Sequence, residues 1–92
     1  MRRAVRAVVS GRVQGVGYRD WTRREAVARG LSGWVRNRID GTVEAVLAGD
    51  DAVVDAMIAA LRDGPPAARV KQVAVEEWAA AVADGFEVRE TV

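Results

Sequence analysis

The sequence predicts an α+β fold in which an antiparallel sheet carries two helices on one face. Three observations predict it. Apolar residues alternate in Ala4–Ser10 and again in Thr42–Ala48, the pattern of strands with one face buried. Val54, Met57, Ile58 and Leu61 fall at i, i+3, i+4 and i+7, the stripe of an amphipathic helix. The whole order reads strand, helix, strand, strand, helix, strand, followed by a short last strand. That is the split β-α-β arrangement of the ferredoxin-like α/β sandwich, βαββαβ.

In Ala4–Ser10, Val5, Ala7 and Val9 alternate against Arg6 and Val8. A turn holding three glycines follows, and a helix runs from about Tyr18 or Arg19 to Arg29. Its apolar stripe is thin: Trp21, Ala28 and Leu31 make one line, with Ala26 and Val27 beside it. Thr22 and Ala26 are small enough for the helix to lie close on a sheet, and Gly30 is a natural stop. Gly33–Arg38 reads as a strand around β-favouring Trp34 and Val35. Asp40-Gly41 marks a turn, so the two flanking runs form a hairpin. Asp50 and Asp51 are candidate caps for the second helix, which Asp63-Gly64-Pro65-Pro66 ends. Arg69–Trp78 is a strand with an irregularity, because Val70 is out of step with Val73 and Val75. In Phe86–Arg89, Phe86 and Val88 share a face.

The chain has 92 residues, half of them hydrophobic, which suits one small domain over residues 1–92 with an adequate core. It has no cysteine and no histidine. Disulfides, thiolate nucleophiles, imidazole bases and ordinary zinc or haem ligation are thereby excluded, and neither metal nor cofactor is expected. No signal peptide or membrane span is present, and the expected location is the cytoplasm. Residues 1–46 hold ten arginines against four acidic residues, whereas residues 47–92 hold four basic against nine acidic. Arg12, Arg19, Arg36 and Arg38 all lie in or beside two turns, so a local positive field that attracts anions is expected.

The chemistry concentrates in Gly11-Arg12-Val13-Gln14-Gly15-Val16-Gly17-Tyr18-Arg19. Glycines in such a strand-to-helix turn permit positive φ and close approach to the main chain. Successive amides can converge on an anion, and the helix start adds unpaired N–H groups. Arg19 supplies a forked, permanent charge matched to phosphate oxygens. Neither nucleotide-binding glycine pattern fits: no Gly-Lys-Ser/Thr run exists, and Asp20 stands where a third dinucleotide-loop glycine belongs. A plain tight turn remains the competing reading of these glycines.

This stretch, together with Gly33-Trp34-Val35-Arg36-Asn37 and Asp40-Gly41-Thr42-Val43-Glu44, resembles the two signature blocks of the acylphosphatases. Gly64-Pro65 and Phe86 sit where that family also has them, so the resemblance covers nearly the whole chain. One departure is Arg29, where the family commonly has leucine before the glycine. The resemblance implies a ferredoxin-like sandwich and hydrolysis of acyl phosphates without metal or cofactor. It places the phosphate-binding arginine on Arg19 and the water-positioning asparagine on Asn37. The amides of Gln14, Gly15, Val16, Gly17, Tyr18 and Arg19 would cradle the phosphoryl oxygens. Partners on this reading are a small acyl phosphate and inorganic phosphate, which is both product and inhibitor, for a monomeric enzyme.

Asn37 has a plainer reading, as a turn-forming residue before Ile39-Asp40-Gly41. Thr42 is a candidate buttress for Asn37, and Asp20 a candidate partner for Arg19. Two rivals belong to other classes. An RNA-binding module of the same topology would stack bases on aromatics in its central strands, and here both expected central strands lack them, so no nucleic-acid partner is expected. A non-catalytic acylphosphatase-like anion-binding or regulatory domain is the closer rival. The absence of a second domain in this chain favours the free-standing enzyme.

Overall fold

A computed structural model describes all residues, Met1–Val92. The elements are β1 (Arg2–Arg12), α1 (Tyr18–Ala28), β2 (Ser32–Asn37), β3 (Val43–Asp50), α2 (Asp51–Asp63), β4 (Arg69–Glu77) and β5 (Phe86–Val88). The sheet order is β4-β1-β3-β2-β5. All pairings are antiparallel except the last, where β5 lies parallel to β2. β1 is longer than its alternation suggests, because it pairs on both sides: Arg2 lies opposite Asp50 of β3, and Arg12 opposite Arg69 of β4. The irregularity expected near Val70 is present. Ser10 pairs with Gln72 and Gly11 with Val70, so Lys71 is the extra residue.

Val5, Ala7 and Val9 of β1 and Val43, Ala45 and Leu47 of β3 form the floor of the core and are fully buried. α2 covers β1 and β4 with Val54, Met57, Ile58 and Leu61, as the stripe predicts. Asp50 stands at its N-cap without a side-chain cap, and the Asp51 N–H donates instead to the Met1 carbonyl at 2.8 Å.

α1 covers β2 and β5 with Thr22 and Ala26 close to the sheet as expected, but Trp21 and Ala28 do not form the buried line. Tyr18, Thr22 and Ala26 are its buried residues, while Val27 and Ala28 face solvent and Trp21 sits half-buried beside Tyr18. Spacing by four keeps these three side chains on one line. Small Thr22 and Ala26 let the helix backbone settle close to the sheet.

β3 is buried on both faces, although its alternation predicts a solvent side. The cause is the connection from β4 to β5. Its residues Ala80 and Val82 line a small cavity with Ala4 and Ala48 of the helix-free face, and Trp78 packs edge-on against Trp34 at 6.2 Å.

Topology then fixes where a site can form. β1 and β2 run in the same direction, because each is antiparallel to β3. The glycine turn that follows β1, the first turn of α1, the last residue of β2 and Val88 of β5 therefore meet at one end of the sheet.

Candidate active site

At that end lies a cleft of about 310 Å³. Gly15, Gly17, Arg19 and Asp20 line it from the turn and helix, Val13 and Tyr18 from below, and Asn37 and Val88 from the sheet. Strand parity delivers Asn37. Val35 points into the helix-covered core, so Asn37, two residues later, points to the same side. Trp34 and Arg36 point the other way.

The turn holds its shape by positive φ at Gly15 (+74°) and Gly17 (+79°), the latter being the N-cap of α1. A Cβ on either would meet nothing within 4 Å, so their requirement is conformational and the space above them is open. None of the N–H groups from Gln14 to Asp20 donates to another backbone group; the first such bond is Trp21 N–H to Gly17 O at 3.0 Å. No side chain caps them either. This leaves a cluster of unpaired donors at the positive end of a helix dipole.

Arg19 sits half-buried on this cleft and pairs with no acidic side chain. Asp20 does not serve it, turning instead to Arg23 at 3.5 Å and Arg24 at 3.1 Å. The Asn37 amide makes no hydrogen bond to the protein, while its main chain is held in the ladder opposite Val43 and accepts from Val92 N–H at 3.3 Å. A free guanidinium, free amides and a free carboxamide around one cavity suit a tetrahedral oxyanion with a water beside it.

The other residues named from the sequence divide. Tyr18 contributes its N–H, but its ring is buried and its hydroxyl donates to the Leu61 carbonyl at 2.6 Å. Burial pushes that phenol well above its ordinary pKa, so it takes no part as an acid or base. Val16 turns its side chain onto the core. Gln14 sends its amide away from the cleft, where Nε2 donates to the carbonyls of Arg38 and Thr42, each at 2.8 Å.

Thr42 is not a buttress for Asn37. Its hydroxyl donates to Asp40 Oδ1 at 2.6 Å and its N–H to the same oxygen at 3.0 Å. These two bonds, with Arg38 nearby, hold the Asp40 carboxyl below its usual range. The expected positive field is also narrower than the sequence suggests. Arg36 Nε donates to Glu44 at 2.6 Å, and Arg38 lies 3.6 Å from the same carboxylate and 3.7 Å from Asp40, so both are paired with acidic groups away from the cleft.

Sequence reasoning missed the apolar walls Val13 and Val88, although Val88 was placed on one face with Phe86. It also missed the side-chain role of Gln14, for which no sequence signal existed. Glu44 escaped because alternation put it on a solvent face. In the structure it is buried among Arg6, Arg36 and Arg38. No group of three or more acidic side chains converges as a metal site.

Known proteins supply an independent view. The family model described as Acylphosphatase matches residues 5–88. A relative of that name from Mesorhizobium japonicum is 64% identical over 76 residues, covering 83% of this chain and 81% of its own. Another, from Rhizorhabdus wittichii, is 52% identical over 89 residues, covering 97% and 90%. The solved structure of an acylphosphatase from Coxiella burnetii superposes with a TM-score of 0.92 at 36% identity, covering 96% of this chain and 93% of that one. A match across the length that holds the glycine turn, the cleft and Asn37 leaves one assignment: this chain belongs to the acylphosphatase family.

Proposed function

We propose that this chain, acting as one domain over residues 1–92, hydrolyses small acyl phosphates to a carboxylate and inorganic phosphate. The observation that carries the reading is the convergence of Arg19, unpaired N–H groups and the Asn37 amide on a single cleft. Arg19 and the amides from Gln14 to Arg19 hold the phosphoryl oxygens in ground and transition states. The Asn37 carbonyl oxygen accepts from a water while its NH₂ donates to the substrate. The water oxygen attacks phosphorus, the bond from phosphorus to the acyl oxygen breaks, and the carboxylate leaves with that electron pair. Both protons of the water end on the phosphate.

The chemistry needs no strong acid or base, because the leaving group is already a carboxylate. Placement and electrostatic stabilisation suffice, as in other phosphoryl transfers. Without histidine or cysteine the chain offers poor metal ligation, so we propose a metal-independent reaction of a monomeric, cytoplasmic enzyme with phosphate as product inhibitor. No helix is long and apolar enough to cross a membrane.

The test is release of phosphate from acetyl phosphate by the purified protein. Turnover that EDTA leaves unchanged is expected. Absence of turnover by the folded protein would instead favour a non-catalytic anion-binding domain, and loss on chelation restored by a divalent ion would remove the metal-independent mechanism.

A further inference from the structure

The glycine turn and the β2–β3 hairpin belong to different parts of the chain, yet the proposed reaction needs them in fixed relation. The turn carries the phosphate donors, and the hairpin carries Asn37. Between the two segments the side-chain hydrogen bonds are those of Gln14. Its Nε2 donates to Arg38 O and to Thr42 O, each at 2.8 Å, using both protons of one NH₂ group.

The position of these acceptors matters. Arg38 follows Asn37 directly, and the Arg38 N–H donates back to Thr42 O at 2.9 Å, closing the hairpin. Gln14 thus grips the closed end of the hairpin one residue beyond Asn37. The side chain is half-buried, and each carbonyl keeps a main-chain donor without it, Arg38 O from Gly41 N–H at 3.1 Å and Thr42 O from Arg38 N–H. Losing the Gln14 bonds therefore loosens the link between the two segments without opening the hairpin. The Gln14 side-chain amide is spent on this contact and turns away from the cleft.

We infer that Gln14 is a positioning residue, whose side-chain amide sets the distance between the phosphate cradle and the Asn37 carboxamide and so places the attacking water. The inference rests on Asn37 as the water-holding residue. The Gln14 side chain acts on turnover through Asn37, apart from any contribution of its N–H to the cradle. The substrate's phosphoryl group, held by Arg19 and main-chain donors, is gripped with nearly unchanged affinity when the strut is lost.

The experiment is a double-mutant cycle on acetyl phosphate turnover, with phosphate inhibition measured in parallel. Gln14→Met keeps the length and removes both donors. In the parent background, kcat should fall by on the order of tenfold or more, because small misplacements are costly where geometry is the main device. The phosphate inhibition constant should move by less than about twofold, a split that a general loss of structure does not produce. In the Asn37→Ala background the same substitution should change kcat by less than about twofold. Gln14→Leu, which removes the donors without adding charge, carries the same cycle should Gln14→Met fold poorly.

An equal loss in both backgrounds overturns the inference, since Gln14 then acts independently of Asn37. So does unchanged kcat in the parent background, or a fall in phosphate affinity as large as the fall in kcat. If Asn37→Ala alone keeps normal turnover, the assignment of Asn37 fails first and the inference falls with it. That result is distinguishable, because it is read from the single variant.

Discussion

On the helix-free face, the Glu44 carboxylate is 4% exposed and lies against Arg6, Arg36 and Arg38, and Arg6 reaches Glu76 as well. On the helix-covered face, Arg19 meets no carboxylate and looks into a cleft with unpaired N–H groups and the Asn37 amide. The same residue type therefore plays two parts at one end of one sheet. Arginines with a buried carboxylate have their charge matched inside the protein and hold strands together. Arg19 is unmatched inside the protein, so its complement comes from outside. Proximity of arginines in sequence hides this difference; strand parity sends Arg36 to the helix-free face and Asn37 to the other, while the first turn of α1 sets Arg19 beside Asn37.

The comparison can be broken most forcefully at Arg19. Arg19→Ala should lower kcat/KM for acetyl phosphate by on the order of 10³-fold, through both binding and turnover. Arg19→Lys should also be poor, because an ammonium cannot reproduce two forked contacts. Steady-state kinetics on the folded variants check both, and near-parent activity in Arg19→Ala would abolish the distinction between the two arginine sets. Asn37→Ala should come next, with kcat down by about 10²-fold and phosphate inhibition nearly intact. A defect confined to phosphate binding would return Asn37 to the role of a turn residue.

The helix-free face should answer in stability. Glu44→Gln removes the shared anion and should cost about 2 kcal/mol, lowering Tm by roughly 8–16 °C in a domain of this size. Burial alone would raise the Glu44 carboxyl, but the bonds from Arg36 and Arg6 outweigh it and hold the group below its ordinary value. A carboxyl depressed in the folded state binds more protons when unfolded. Its contribution is therefore full above the ordinary glutamate pKa of about 4.3 and is lost as pH falls through the folded value. Urea unfolding across pH 5 to 2 should show a shallower decline for Glu44→Gln than for the parent. Parallel declines would mean that the network contributes nothing to acid stability. The smallest effect is expected at Tyr18→Phe, which loses one buried bond to Leu61 O and should cost about 1 kcal/mol by the same measurement.

Much of the fold was legible in the sequence because period-two and period-3.6 patterns follow directly from burial. Val5, Ala7 and Val9 in β1 and the four-residue stripe of α2 needed nothing else. On α1, Thr22 and Ala26 were legible as close-packing positions from their size, but the line through Trp21 and Ala28 was misread, because Tyr18 at the start of the helix completes the buried stripe instead. The burial of Glu44 was hidden because it depends on register with Arg36 and on Arg6 reaching it from β1. At the site, glycines, Arg19 and Asn37 stood out through their resemblance to family signatures. The side-chain bonds of Gln14, and of Thr42 to Asp40, were invisible because they join segments whose spacing only the folded chain defines.

The most direct measurement of the central claim is stabilisation by inorganic phosphate, read as a thermal shift across four proteins: the parent, Arg19→Ala, Asn37→Ala and Arg6→Ala. Phosphate that binds the folded state alone raises Tm by mass action. The shift should be present in the parent, nearly lost in Arg19→Ala and kept in Asn37→Ala. It should also be kept in Arg6→Ala, whose own Tm is lower because Glu44 loses a partner. An equal shift in Arg19→Ala, or a shift lost only in Arg6→Ala, would place the anion on the wrong face and contradict the account.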